Sequence, residues 1–327
     1  MPILDERHDF AHPVESDPAW SESYYFNAYD PATDTGFFTR LGIRPHEGRM
    51  DVGLSVWLPG TDLAVVAGVQ PQHEMIDRDL AVAGVRYERL APMQTWRLTC
   101  DAEASIRDLA GGRERRRGRI GMDVTFQALA PAIGSDGQGR GGTGVSAETR
   151  RHVGKGHLEQ AGRWTGWIEA AGVRHHLVDT HGNRDKSWGP RRWGGPRMWR
   201  WFSINLGDHV HLGGIRIGTD AGDLHRGWIW RKGEAASIRR WDVETALAAD
   251  GLTQATVHLR ATDATGRVAA LRGDVLRVAS VAHEVGDRRT IVNEGLARWT
   301  GEGHQGHGIA EYLHQLDDTG RPLVPIE

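Results

Sequence analysis

One cysteine, Cys100, occurs in 327 residues. No internal disulfide can form, so the chain is expected in a reducing, cytoplasmic compartment. No run of the roughly 18 apolar residues needed to span a membrane is present. The first ten residues are charged and lack the apolar core of a signal peptide. Strong charge of either sign is also missing. A formal net charge of −3 and a pI near 6.6 give no basic field, and nucleic acid is not expected as a partner. Several catalytic signatures are absent too: no G-x-S-x-G elbow, no glycine motif cradling phosphate before a helix, no βαβ alternation and no solenoid period. Long amphipathic helices are scarce.

Short segments with alternating or β-branched character, separated by Gly, Asp and Asn, fill the chain instead. They predict strands near 37–43, 50–58, 62–69, 93–100, 102–109 and 119–128. A second series follows near 156–159, 163–170, 173–181, 197–206, 209–219, 222–231, 236–243, 253–262, 267–281 and 290–299. Hairpin signals such as Asp263-Ala264-Thr265-Gly266 point to antiparallel meanders. The fold class is therefore all-β: two antiparallel barrels, or strongly curved sheets, packed together. A glycine-rich stretch at 131–156 reads as a linker or lid between an amino-terminal domain, 1–155, and a carboxy-terminal domain, 156–327. The basic cluster 113–117, flanked by glycines, reads as a solvated hairpin tip.

The thirteen tryptophans are unevenly placed, and nine lie between 164 and 241. At the centre of that stretch runs Gly182-Asn183-Arg184-Asp185-Lys186-Ser187-Trp188-Gly189-Pro190-Arg191. Gly182-Asn183 predicts a sharp turn, and Gly189-Pro190 ends any element. Charges held against large rings must be paired, so Arg184, Asp185 and Arg191 are expected to form a network or line a pocket. A carboxyl group in a tryptophan-lined pocket tends to hold its proton, while adjacent arginines favour the carboxylate. Asp185 is thus a candidate acid/base, beside rings that attract a developing cation. A structural ion pair under a tryptophan-rich core is the competing interpretation. Glu22, Tyr24 and Asn27 form a second polar–aromatic cluster near the start. They either point into the same pocket or belong to a first strand whose aromatics plug a barrel. Glu159 and Glu294 are further carboxylates beside strands.

Histidines offer a rival site. His209 and His211 fall on one face of a strand and, with His225 or His181, make a possible metal grip. The glycine-alternating run 303–308 reads first as a tight loop.

Three segments together resemble the hydroxyneurosporene synthase (carotenoid 1,2-hydratase)-like superfamily of paired lipocalin-type β-barrels, in a bacterial branch. They are Glu22–Asn27 with 36–45, residues 156–160 through Arg184–Arg191, and Glu294-Gly295 with 308–313. The resemblance implies two packed barrels and an apolar small-molecule pocket. Branches of the superfamily hydrate isoprenoid double bonds, hydrate a prenylated isoflavonoid, or control pericyclic cyclisations. The hydratase aspartate matches Asp185 and the following glycine matches Gly189. Arg184 stands where the hydratases carry histidine or tyrosine, and Ser187 where they carry asparagine. The resulting expectation is a cofactor-independent lyase or isomerase acting on a terpenoid, steroid-like or aromatic substrate. Asp185, Arg184, Arg191, Glu22 and Glu159 would carry the chemistry, and Tyr24, Asn27, Trp188, Trp199 and Trp201 would line the pocket. No metal or cofactor and no membrane span are expected, and a homodimer is allowed. A non-catalytic carrier of an apolar ligand and a metal enzyme at His209 and His211 are the alternatives.

Overall fold

The computed structural model describes residues 3–109, 112–137, 154–219, 222–285 and 288–327. Among these residues there are nineteen strands, two short 3-10 turns and no α-helix. Among the described residues no helix is long and apolar enough to cross a membrane. The chain divides into two compact units. One contains Pro2–Arg140 and Gly154–Arg191, and the other runs through Arg192–Glu327.

The first unit opens with β1 (Trp20–Asp30), β2 (Thr35–Arg44), β3 (Arg49–Trp57) and β4 (Asp62–Pro71). It continues through β5 (Leu80–Val82), β6 (Val85–Ala91), β7 (Thr95–Asp108), β8 (Glu114–Ala128) and β9 (Ile133–Ser135). The strands β10 (Gly156–Ala170) and β11 (Val173–Pro190) complete it. The sheet runs β4-β3-β2-β1-β11-β10-β8-β7, and the far half of β7 pairs back onto β4, which closes it on itself. Strand period explains the core. Along β7, Trp96, Leu98 and Cys100 turn inward in alternation with more exposed residues. They meet Tyr24, Phe26, Phe37, Phe126 and Trp164 in one continuous cluster.

The second unit is a closed eight-stranded barrel of consecutive antiparallel neighbours. Its strands are β12 (Met198–Leu206), β13 (Val210–Thr219), β14 (Gly222–Arg231), β15 (Glu234–Leu247), β16 (Gln254–Asp263), β17 (Val268–Val285), β18 (Arg288–Gly301) and β19 (His304–Leu316). Phe202, Leu212, Ile229, Trp241, Leu259 and Trp299 anchor its interior.

The all-β class and the two barrels match the expectation. The domain boundary does not. The break falls after Arg191 rather than at 155/156, because β10 and β11 hydrogen-bond into the first sheet between β8 and β1. Of the 131–156 linker or lid, residues 138–153 lie outside the described residues, while 133–135 form a strand paired with β10. Glycine was read as a turn signal in two places where it serves close approach instead. Gly182-Asn183 lies inside β11, where a Cβ on Gly182 would overlap the Asn27 carbonyl oxygen and come within 2.6 Å of Trp164 Nε1. Of the run 303–308, Gly303 is in a turn with φ 76° and residues 304–308 begin β19, where Gly306 and Gly308 lie against the Asn205 and Ser203 carbonyls of β12. Gly182→Ala is accordingly expected to cost about 1–3 kcal/mol or more by overpacking against backbone. A urea midpoint equal to wild type would contradict it.

Candidate active site

The two-residue period of a strand decides which of the central charges meet. On β11, Arg184, Lys186 and Trp188 face the barrel core, while Asn183, Asp185 and Ser187 face outward. Arg184 and Asp185 therefore cannot pair, although they are adjacent in sequence. The expected Arg184–Asp185 network is replaced by two separate constellations, one on each face.

On the outer face, register places Glu159 of β10 directly opposite Asp185 and His157 opposite Ser187. Like charges facing each other across a strand pair are unfavourable. His157 relieves the conflict: its Nε2 donates to Asp185 Oδ2 at 2.5 Å and lies 3.7 Å from Glu159 Oε1. Burial pulls the imidazole pKa down. The charge of Asp185, its hydrogen bond and the charge of Glu159 outweigh that, against some opposition from Arg191, and hold the pKa up at about 9. Arg191 Nη2 donates to Ser187 Oγ at 3.0 Å, and Ser187 shares a 2.9 Å hydrogen bond with Ser23 of β1. Asn27 is on the same face of β1. Asn183 Nδ2 is buried there without a hydrogen-bond partner. Donor atoms of His157, Glu159 and Asp185 lie within 4.8 Å of one another, the one such group of potential metal ligands among the described residues.

The raised pKa of His157 has a consequence for pH. The folded protein holds this proton more tightly than the unfolded chain. The stabilisation is complete below about pH 6.5, shrinks as pH rises, and is gone above about pH 9. Thermal midpoints measured across that window are expected to fall with pH in wild type and to fall less in His157→Gln. Parallel curves for the two proteins would refute the assignment.

The inner face carries the other charges. Arg184 is almost fully buried; its Nε donates to Gln160 Oε1 at 2.6 Å and its Nη1 to Asp9 Oδ1 at 2.5 Å. Asp9 also accepts from Met93 N at 2.6 Å, and Gln160 donates to the Met93 and Ala130 carbonyls. Lys186 bonds Glu22 and donates to the Phe10 carbonyl, while His12 Nδ1 donates to Glu22 at 2.9 Å. Burial lowers the Lys186 pKa despite the pull of Glu22. Trp188 stacks on His12, with ring centres 3.8 Å apart, and on His8. The segment before β1 is thereby stapled across the core-facing side of β11.

Several predicted site residues are thus apart from Asp185. Arg184, Glu22 and Trp188 belong to this inner network. The Tyr24 hydroxyl is buried in the core without a partner, and burial, then Glu22, raise its pKa. Trp199 and Trp201 belong to the second unit, where Trp199 Nε1 donates to Glu311 at 2.5 Å. Glu159, Asn27 and Arg191 do share the Asp185 side of the sheet. His157 went unassigned in the sequence, although His157-x-Glu159 on a predicted strand is a face-sharing pair. The rival histidine site does not assemble among the described residues. His211 is buried with Nδ1 on Asn205 Oδ1 at 2.7 Å. His209 stacks on His304 at the rim of an open, charged groove of about 410 Å³.

The fold is shared with CghA, at 13% identity over 92% of this chain and 88% of that one, with a TM-score of 0.56. It is shared with kievitone hydratase from Nectria haematococca, at 11% identity, 90% and 87% coverage and a TM-score of 0.56. An AttH-like protein from Nitrosomonas europaea gives 15% identity, 90% and 92% coverage and a TM-score of 0.55. At these identities the likeness is one of fold. No functionally curated protein matches the sequence. Residues 5–316 match the model of the domain of unknown function DUF7064. The chain belongs to that family.

Proposed function

We propose that the protein is a cofactor-independent lyase or isomerase, of hydratase, dehydratase or cyclase type, acting on an apolar terpenoid, steroid-like or aromatic small molecule. The observation that carries this reading is the His157 imidazolium held between Asp185 and Glu159. With Nε2–H committed to Asp185, Nδ1–H is the proton available to a substrate. In a hydration, that proton forms a C–H bond as the substrate π bond breaks. Water then adds to the neighbouring cationic carbon and gives a proton to Glu159 or back to His157. Dehydration is the same path reversed. Asp185 acts by keeping the imidazole charged and oriented, and Asn183 Nδ2 supplies a buried donor for a substrate oxygen. The kievitone hydratase of similar fold makes water addition the first reaction to try. The buried free Cys100, its thiol pushed up to about 12 by burial, suits a cytoplasmic setting.

Mass spectrometry of prenylated phenols and terpenoid alkenes incubated with the protein reads gain or loss of water, or isomerisation. Product that disappears in both Asp185→Asn and His157→Gln supports the reading, and product unaffected in either sinks it. The three converging donors favour one further reading, a divalent-cation site. It requires stoichiometric metal retained after dialysis and lost in His157→Gln; elemental analysis without metal removes it.

A further inference from the structure

The closed barrel of the second unit has a charged end that its own core does not need. Arg200 lies on the core-facing side of β12, in line with Phe202, Ile204 and Leu206, and only 3% of it is exposed. Its Nη1 donates to the carbonyls of Trp199 at 2.9 Å and Leu313 at 3.4 Å, and its guanidinium lies 4.3 Å from the Tyr312 ring centre. No carboxylate among the described residues forms an ion pair with it. Register sets Arg216 of β13 directly across from it. Two guanidiniums facing each other at the end of an apolar barrel attract an anion. Beside them His314, fully buried, has neither ring nitrogen hydrogen-bonded, and burial drives its pKa down to about 3.

An anion is already there, supplied by the chain. Both oxygens of the Glu327 side chain bond the Arg216 guanidinium, whose Nε is held by Asp223 at 2.6 Å. The Glu327 carbonyl accepts from Thr245 N at 2.5 Å. Ile326 packs against the barrel core. Leu323 N on the Gln315 carbonyl, and a bridge between Leu316 and Pro322, lead the segment back over this end. The side chains of Arg200, Arg216, Asp223 and Glu327 sum to zero charge; without that of Glu327 they sum to +1. An aliphatic side chain followed by a carboxylate has the outline of an amphipathic acid. A segment serving only as a staple leaves Arg200 without a carboxylate and His314 without a partner unexplained, and both face the same end.

We infer that this end of the second barrel is a binding site for a small amphipathic carboxylate, with Arg200 and Arg216 as the anion seat, and that Ile326 and Glu327 occupy it until such a ligand displaces them. The carboxylate takes the place of the Glu327 side chain on Arg216, and the apolar stem takes that of Ile326. The site is independent of the Asp185 chemistry.

Titration calorimetry of the full chain with octanoate, and with octanamide as the neutral control, tests the proposal. Glu327→Gln removes the competing charge from a side chain that is 42% exposed, so the fold is retained. Octanoate is expected to bind Glu327→Gln at least about tenfold more tightly than wild type, the size of effect set by one charge-assisted hydrogen-bonded pair. Adding Arg216→Met to Glu327→Gln is expected to abolish that gain, and octanamide is expected to show none. Equal octanoate affinity in wild type and Glu327→Gln, no octanoate binding to either, or equal binding of octanamide overturns the proposal.

Discussion

Replacing Arg184 with methionine is expected to destabilise the protein by about 3–5 kcal/mol, the cost of leaving a buried charge without its partner. The stranded group is Asp9, fully buried, with Arg184 Nη1 as its ion-pair partner and Met93 N as a second donor to its carboxylate. Gln160 loses the donor to its Oε1 at the same time. The cost is large because both groups are buried, Arg184 at 2% and Asp9 at 0% exposure, with Trp96 lying 5.8 Å from the guanidinium. The neighbouring Lys186–Glu22 pair feels both Asp9 and Arg184, so the effects of the two pairs are not additive. Asp9→Asn combined with Arg184→Met is expected to recover a good part of the loss, because the stranded charge is gone. Denaturant midpoints of the wild type and the two variants decide the matter. A loss below about 1 kcal/mol in Arg184→Met, the size of a surface pair, would show that the network is not the staple described here.

The second large effect concerns the outer face. Asp185→Asn is expected to lower turnover by a factor of about 10²–10⁴, the usual worth of a positioned acid or base, and to lower the denaturant midpoint at neutral pH, where the tightly held His157 proton still contributes stability. The amide keeps the shape of the carboxylate but not its charge, and Glu159 alone then supports the imidazolium. The pKa of His157, followed by NMR of its ring protons, is expected to drop from about 9 toward its ordinary value. The two readouts separate the proposals. A fallen pKa with turnover intact would leave the ion pair real and the catalytic role wrong. An unmoved pKa would show that Asp185 does not hold the proton.

The sequence went far with the fold because β-structure writes a two-residue period into it. Alternation along 93–109 or 119–128 marks a strand whatever its partners are. It went less far with glycine. Gly182, Gly306 and Gly308 look like turn residues in sequence, yet each is needed where another strand's backbone or a tryptophan comes too close for a Cβ. The domain boundary failed for a related reason. Glycine content is a local signal, and only hydrogen bonding shows that β10 and β11 close the first sheet.

The same limit applies to the site. Period alone puts Arg184 and Asp185 on opposite faces, and puts Glu159 on the same face of β10 as His157. What period cannot give is register. One residue of slip between β10 and β11 would bring Leu158, not Glu159, opposite Asp185 and remove the imidazolium from between the carboxylates. Asp9 and Arg184 are 175 positions apart, and Arg216 and Glu327 are 111 apart. No local pattern links them. The sequence by itself determined the strands, the two-barrel class and the concentration of charge around Asp185. Tertiary structure decided which charge meets which, because ion pairing falls off within a few ångströms and separation along the chain says nothing about distance in space.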